Sequence, residues 1–518
     1  MKFVFLASYL SLSFGCLFFI YAIKYYTSIL LVLFRMDSSE AGEGRGYPDI
    51  VEEPFISIHL PFYNELNVAE RIISACLDMD YDNYEVMILD DSRDPTTELL
   101  KERRWREGAG RIKVIHRGDR SGFKGGALSR ALDYMHPETE YIIVLDADFV
   151  PPRDIIRRFL EVFGEVEDAA GKPIGVVQGY QLHCLNKAAN WVTRAVRTEY
   201  SGSYRVERVA AEWYGGMKMI SGSVFMLRSD VARRLGWSES ITEDWELTLK
   251  LYLEGFRVKY TPFISAKAEI PTELGRLARQ RMRWAEGHTY NVRRYFWRVL
   301  ASPSLGVVEK LEFLYFAPYY LQSLFWILGT VFWVIAELSH RKPFFWSSAL
   351  GWSLIICNLL ALPLMSLAGL YLEGDLIEDF TGVFGFIAVS FLLTPYQAFA
   401  ALKGLLEGEE GYWIRTLKTG SIAERVLRSG LMEFIRKLLG LRGRGGDRGS
   451  KSNGSGFATH LPWRGMIILL SVVMPALPFA TGIYALLYGF RSLCTDSQVL
   501  TMGILDVGGF IAKILCFL

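Results

Sequence analysis

The sequence predicts an α/β fold, a Rossmann-like domain inserted between transmembrane α-helices, on two observations. Short β-branched and aliphatic runs alternate with helical patterns in the middle of the chain, and long apolar stretches bracket that region. The composition agrees, since 51% of the 518 residues are hydrophobic while 22% are charged. A net charge of +1 leaves no electrostatic footprint for nucleic acid. The 6 cysteines show no CxxC or Cys/His spacing and read as reduced structural thiols.

Residues 3–34 form the first apolar run, longer than the roughly 20 residues that cross a hydrocarbon core. No small-residue cleavage site follows a short apolar region, so residues 1–36 are expected to anchor the chain rather than to be a signal peptide. The α/β domain is expected over residues 48–300. Its strand candidates are Phe55–Leu60, Glu85–Leu89, Lys113–His116, Tyr141–Leu145 and Gly175–Gln178. Alternation with helices predicts a parallel sheet covered on both faces, which binds ligands at the carboxyl ends of its strands.

Those ends are conspicuously polar. Pro61–Glu65 follows the first run, Asp90, Asp91 and Ser92 the second, and Asp146, Ala147 and Asp148 the fourth. A single aspartate after a strand serves as a cap or turn former as readily as a ligand. Three acidic clusters at successive ends of one sheet point to a site. Neither a Walker sequence nor a GxGxxG turn follows the first strand, which argues against an NTPase and a dehydrogenase.

Further along, Asp244 opens an amphipathic helix, WELTLKLYLEGF, that Gly255 terminates. Gln280, Arg283 and Trp284 fall at i, i+3 and i+4, so one helix face presents all three. Arg276, Arg279, Arg281, Arg293 and Arg294 around them suit a helix resting on anionic lipid. Trp191, Trp213, Tyr214 and Trp237 read as packing residues, with an acceptor path as the alternative.

Two spans are expected within 311–372, at about 313–336 and 344–372. The segment 381–402 contains Pro395 and runs into Tyr396, Gln397 and Lys403. Region 403–463 carries an excess of basic residues, which favours the cytoplasm, and its GRGGDRGSKSNGSG stretch reads as a flexible linker. With this region and the α/β domain both cytoplasmic, an even number of crossings must separate them. Segment 381–402 is therefore expected to be interfacial or re-entrant. Apolar runs at about 465–489 and 499–518, within 464–518, bring the expected total to five spans.

PFYNE at 61–65, DDS at 90–92, FKGGAL at 123–128, DADF at 146–149, TED at 242–244 and QRMRW at 280–284 occur in that order. Together they resemble the inverting family-2 glycosyltransferases of the cellulose, mannan, hyaluronan and chitin synthase group. FKGGAL and DADF, with GYWIRTLKTGS at 411–421, are most similar to the cellulose synthase-like mannan and glucomannan synthases. Phe123 stands before Lys124 with no histidine or basic residue two before Lys124, and SGSVFMLR at 221–228 is closer to the cellulose synthase pattern.

The resemblance implies a glycosyltransferase A-type domain that moves a sugar from a UDP- or GDP-sugar to a growing β-linked glycan. It implies Asp244 as the base that deprotonates the acceptor hydroxyl. Asp148 is implied as the direct ligand of Mg2+ or Mn2+, with Asp146 on the ribose or metal side. Pro61, Tyr63, Glu65, Asp91 or its neighbour Asp90, and Lys124 are implied in the nucleotide pocket. Arg283 would pair with the diphosphate and Trp284 would offer a sugar platform beside Gln280. Trp413 and Thr416 would belong to a loop covering the donor. The same resemblance implies a multi-pass protein of the plasma membrane with its catalytic domain cytoplasmic, in contact with membrane lipid. Transfer of one sugar to a lipid carrier is the alternative, and a non-catalytic transporter or binder a more distant one.

Overall fold

Seven strands form one sheet in the order β3-β2-β1-β4-β6-β5-β7. They are β1 (Phe55–Phe62), β2 (Tyr84–Asp90), β3 (Ile112–His116), β4 (Thr139–Val144), β5 (Ile174–His183), β6 (Phe225–Arg228) and β7 (Arg257–Ala268). The computed structural model describes residues 2–35, 53–102, 110–164, 167–168, 170–338, 348–411, 420 and 461–494. Most of GYWIRTLKTGS, with Trp413 and Thr416, and the apolar run 499–518 lie outside the described residues.

The first five strands fall where the sequence places them, and β1 to β4 are mutually parallel, with β3 joined to β2 and β4 to β1. The expectation of a purely parallel sheet is corrected at β6, which runs antiparallel to both β4 and β5. This four-residue strand passes directly into the Ser229–Leu235 helix. On the edge, β7 pairs parallel with β5, and the register shifts between Gln178 and Tyr180. Pro262 lies in that stretch of β7, as a residue with no N–H to give should.

Both faces of the sheet are covered, and the pleat decides which residue goes where. Val86 and Ile88 pack with Ile58, Ile72 and Phe159 on one face. Their neighbours Met87 and Leu89 pack with Leu128, Val144 and Trp245 on the other. Burying each such side chain contributes roughly 1.5–3 kcal/mol.

The chain divides into two compact units. The larger draws on Leu31–Leu324 and Met365–Arg464 and contains the sheet. In it the Leu274–Ala301 helix buries a stripe of Leu277, Arg281, Ala285, His288, Val292, Tyr295 and Val299, spaced by three and four. The Thr381–Leu406 helix, continuous through Pro395, lies along that helix and along Trp191–Gly202. A side chain at Gly382 would meet Thr198 Oγ1 at 2.2 Å, and one at Gly404 would meet the Glu286 carbonyl at 2.2 Å. Glycine is what permits this close approach.

The other unit is helical and draws on Met1–Leu30, Phe325–Leu364 and the residues after Gly465. Phe14 packs against Phe325 and Phe332 at ring separations of 5.7 and 6.4 Å. Tyr26 donates its hydroxyl to the Cys357 carbonyl at 2.8 Å, satisfying a polar atom among apolar helices. Among the described residues four helices are long and apolar enough to cross a membrane: Leu6–Arg35, Leu321–Leu338, Leu350–Glu373 and Thr381–Leu406.

Candidate active site

The parallel register of β1, β2 and β4 opens their carboxyl ends on one edge of the sheet. Phe62 lies opposite Asp90, and the Asp91 amide donates to the Phe62 carbonyl at 2.9 Å. The two following turns are then laced together. Asn64 donates its amide to Ser92 Oγ at 2.8 Å, and its side-chain oxygen accepts from the Arg93 amide at 2.8 Å. Pro61 ends inside β1, while Glu65 precedes the Leu66–Leu77 helix at the rim.

The two aspartates after β2 diverge. Asp90 turns inward, accepting from the Ser92 amide and Thr97 Oγ1 and pairing with His116 at 2.7 Å. It is fully buried and holds the turn. Asp91 meets Arg117, whose Nε lies 2.7 Å from Oδ1. Burial pushes the Asp91 carboxyl up and the Arg117 hydrogen bonds pull it back. Beside it the Arg120 guanidinium lies 3.4 Å over the Tyr63 ring. Neither arginine was identified from the sequence, where the HRGDRSGF run before Lys124 is the signal that points to them.

Lys124 sits at the start of the Phe123–Tyr134 helix. Its Nζ donates to Asp146 Oδ1 at 2.6 Å and to the Gly222 carbonyl at 2.5 Å, with Glu243 Oε1 at 3.5 Å. Burial alone lowers the affinity of this ammonium for its proton, but Asp146 and Glu243 outweigh it and hold it above the ordinary lysine range. The glycines after Lys124 serve close packing of the chain. A side chain on Gly125 would lie 1.9 Å from the Ser238 carbonyl, and one on Gly126 would lie 2.1 Å from that of Ser121.

Asp146 follows β4 with its amide on Ser223 Oγ at 2.9 Å, and Asp148, two residues on, is buried. Arg71 fixes this turn by donating to the Asp148 carbonyl and, at 2.8 Å, to Glu269. Among the described residues three non-glycine residues adopt positive φ, namely Asn64 at 57°, Phe123 at 49° and Val224 at 57°. Each lies next to one of these turns, and for a β-branched valine the conformation is strained. Gln178 holds the Val224 segment in place, accepting from the Ser221 amide and donating to the Ser223 and Val224 carbonyls.

Asp244 is the second residue of the Glu243–Leu253 helix. Its Oδ1 accepts from the Trp245 amide at 2.8 Å, and Oδ2 lies beside Gly222, close to Lys124. Burial, then the neighbouring Glu243 charge, push its carboxyl up to about 7. Arg283 donates to the Ile241 carbonyl at 3.0 Å and lies within the field of Glu243, Asp244 and Asp146. Two residues earlier Arg281 pairs with Glu199 at 2.7 Å and lies 4.7 Å from the Trp284 ring. Gln280 shares that helix face, partly exposed.

The structure thus gathers Lys124, Asp146, Asp244 and Arg283, with Glu243 as a member not identified from the sequence. Three carboxylates facing Lys124 and Arg283 leave at most one surplus negative charge, so a diphosphate entering here brings charge that a further cation would offset. No cage of three His, Cys, Asp or Glu side chains exists among the described residues. A nucleotide-bound Mg2+ needs only one or two carboxylates, the phosphates and water supplying the rest, so Asp146 and Asp148 fit it.

Of the four aromatic residues considered for an acceptor path, Trp191 is exposed and the other three pack against neighbours. Tyr214 donates to Glu312, Trp213 lies 5.3 Å from the Arg35 guanidinium, and Trp237 abuts Phe225. The aromatic side chains within reach of the Asp244 charge are Tyr204 and Tyr320, with Tyr200 stacked on Tyr204 at 5.6 Å.

The profile of the glycosyl transferase family group 2 matches residues 141–401, half of the chain and every element from β4 to the Thr381–Leu406 helix. The chain belongs to this family. As a family group 2 member it is 29% identical over 282 residues to the probable glucomannan 4-beta-mannosyltransferase 7 of Oryza sativa subsp. japonica, covering 53% of this chain and 46% of that one. To the glucomannan 4-beta-mannosyltransferase 7 of Arabidopsis thaliana it is 26% identical over 270 residues, covering 51% and 48%. The chain spans about half the length of the curated relatives it matches. A similar solved structure is a mannosyltransferase from Pyrobaculum calidifontis in complex with GDP-Man and Mn2+, with 17% identity, a TM-score of 0.49 and coverage of 78% of this chain and 100% of that one.

Proposed function

We propose that this family group 2 chain is a hexosyltransferase that moves a sugar, of mannosyl type, from a nucleoside-diphosphate donor to the end of a β-linked glycan with inversion. The observation that carries the reading is the placement of Asp244 beside Lys124, Asp146 and Arg283. A carboxylate raised to about 7 is matched to taking a proton from a hydroxyl at neutral pH. The mannosyl assignment is supported by the names of the plant relatives.

Each residue then has a task. Asp91 and Tyr63, with Arg117 and Arg120, receive the nucleoside. Lys124 and Arg283 face the charge that develops on the leaving diphosphate. Asp146 and Asp148 would hold a divalent cation, which acts there as a Lewis acid toward the phosphates. Asp244 takes the acceptor proton as the hydroxyl attacks the anomeric carbon. Trp284 and the Tyr200–Tyr204 stack offer flat surfaces to sugar rings.

The same reading makes the enzyme processive, with its apolar helices passing the product across the plasma membrane and the α/β domain cytoplasmic. The basic excess in 403–463 supports that orientation. The Thr381–Leu406 helix then lies at the interface, which its packing along two helices of the sheet-containing unit supports. The test is membrane vesicles given labelled GDP-mannose, UDP-glucose or UDP-N-acetylglucosamine, followed by linkage analysis. A β-linked polymer supports the reading, and a chloroform-soluble monosaccharyl lipid as sole product rejects it.

A further inference from the structure

The chain returns to the neighbourhood of Asp244 at Glu410. The segment leading there is tied to the helix that carries Gln280, Arg283 and Trp284. Arg293 donates to the Leu405 carbonyl at 2.8 Å and Tyr290 to the Gly408 carbonyl at 3.3 Å. Glu286 accepts from Lys403 at 2.8 Å and from the Gly411 amide at 2.7 Å.

Glu410 grips the opposite side, at the first two of the three residues that precede Glu243. Its Oε1 accepts from Ser240 Oγ at 2.8 Å and its Oε2 from the Ile241 amide at 3.0 Å. Ser240 Oγ is thereby fully engaged, since it also accepts from the Thr242 amide at 3.1 Å and from Asn291 Nδ2 at 2.8 Å. Asn291 reaches Thr242 Oγ1 as well, at 3.1 Å. Thr242 caps the helix that Glu243 and Asp244 open, yet its own side chain makes no capping bond. What fixes the entry to that helix is the set of contacts from Glu410, Asn291 and Arg283. Keeping a carboxylate here is costly, because burial pushes Glu410 up to about 7 against the pull of its two hydrogen bonds.

We propose that Glu410, acting through Ser240 and the Ile241 amide, is a positioning residue that sets the place of Asp244 in the active site, with Asn291 as its counterpart. The inference rests on the proposed transfer reaction and on Asp244 as its base. A base must be held within a fraction of an ångström of its proton, and misplacement by about 1 Å costs on the order of 100-fold in rate.

The test compares Glu410→Gln, Ser240→Ala and the double variant in the full chain in membrane vesicles. Glutamine keeps the volume and loses one of the two acceptors. The expected result is a kcat about 10- to 100-fold lower for Glu410→Gln with the donor KM within about twofold, as for loss of geometry rather than of binding. The double variant is expected to lose less than the two single losses combined, because both break the Glu410–Ser240 contact while each also touches bonds of its own. Hydrogen exchange is expected to quicken at residues 240–245 and to stay unchanged in β1 to β4. An unchanged kcat, additive losses, or faster exchange throughout the sheet overturns the proposal. If the wild-type chain releases no nucleoside diphosphate from any donor, the reaction reading falls and this inference with it, while the exchange data still report separately whether Glu410 holds residues 240–242.

Discussion

Lys124 donates its ammonium to Asp146 at 2.6 Å, joining the helix that follows the third strand to the end of β4. The same ammonium reaches the Gly222 carbonyl and Glu243, so one cation is the hub of four chain segments. Removing it takes from Asp146 and Glu243 the cation they share. Lys124→Met is expected to lower donor turnover by about 100-fold or more, the scale for losing an electrostatic group aimed at developing charge. Initial-rate measurements with labelled donor check this, and a loss under about threefold contradicts it.

Asp244 works as a base only as a carboxylate. Because its carboxyl is raised to about 7, half of it is protonated near neutrality, and the active fraction falls about tenfold for each pH unit below that. The kcat profile is expected to show an acidic limb centred near pH 7. Asp244→Asn is expected to abolish transfer while nucleotide affinity, read by calorimetry, changes little. Normal turnover in that variant removes Asp244 from the role of base.

Asp146 and Asp148 are expected to make transfer metal-dependent. Chelation should stop turnover, and Mg2+ or Mn2+ should restore it. Asp148→Asn should raise the metal concentration needed for half-maximal rate by about tenfold or more, at least the scale of losing an outer-shell partner of a ligand. Turnover undiminished by chelator contradicts the assignment.

Gly125 has no room for a side chain, since a methyl would lie 1.9 Å from the Ser238 carbonyl. Gly125→Ala must displace either the Lys124 helix or the residues leading to Asp244. A stability loss of roughly 1–3 kcal/mol is expected, together with loss of activity, as for other overpacked sites. Thermal unfolding in detergent measures it.

Arg197 is buried against Glu373, Asp375 and Tyr180, while its neighbour Lys187 pairs with Asp379 at 2.8 Å. Arg197→Met strands two carboxylates and is expected to cost about 3–5 kcal/mol. Replacing Glu373 at the same time should recover part of that loss, which the same unfolding measurement reads.

Much of the fold was legible locally, because β1 to β5 are apolar runs bounded by turn residues. Two strands were not named, for different reasons. Phe225–Arg228 is too short to show a period, and Arg257–Ala268 carries polar residues and a proline that an edge strand tolerates. Of the site, Asp146, Lys124, Asp244 and Arg283 were visible as ordered motifs. Glu243 stood inside TED without a role assigned to it, and Arg117 and Glu410 were not visible, since each acts through a partner distant in sequence. Glu410 lies 170 residues from Ser240, and no local pattern announces such a pairing.

The most direct test of the central claim is release of nucleoside diphosphate coupled to growth of a β-linked glycan, measured in vesicles holding the full chain. The account predicts both from a mannosyl donor with the wild-type chain, and neither with Asp244→Asn. Polymer growth that persists in Asp244→Asn, or a wild-type chain that consumes no nucleotide sugar, would contradict it.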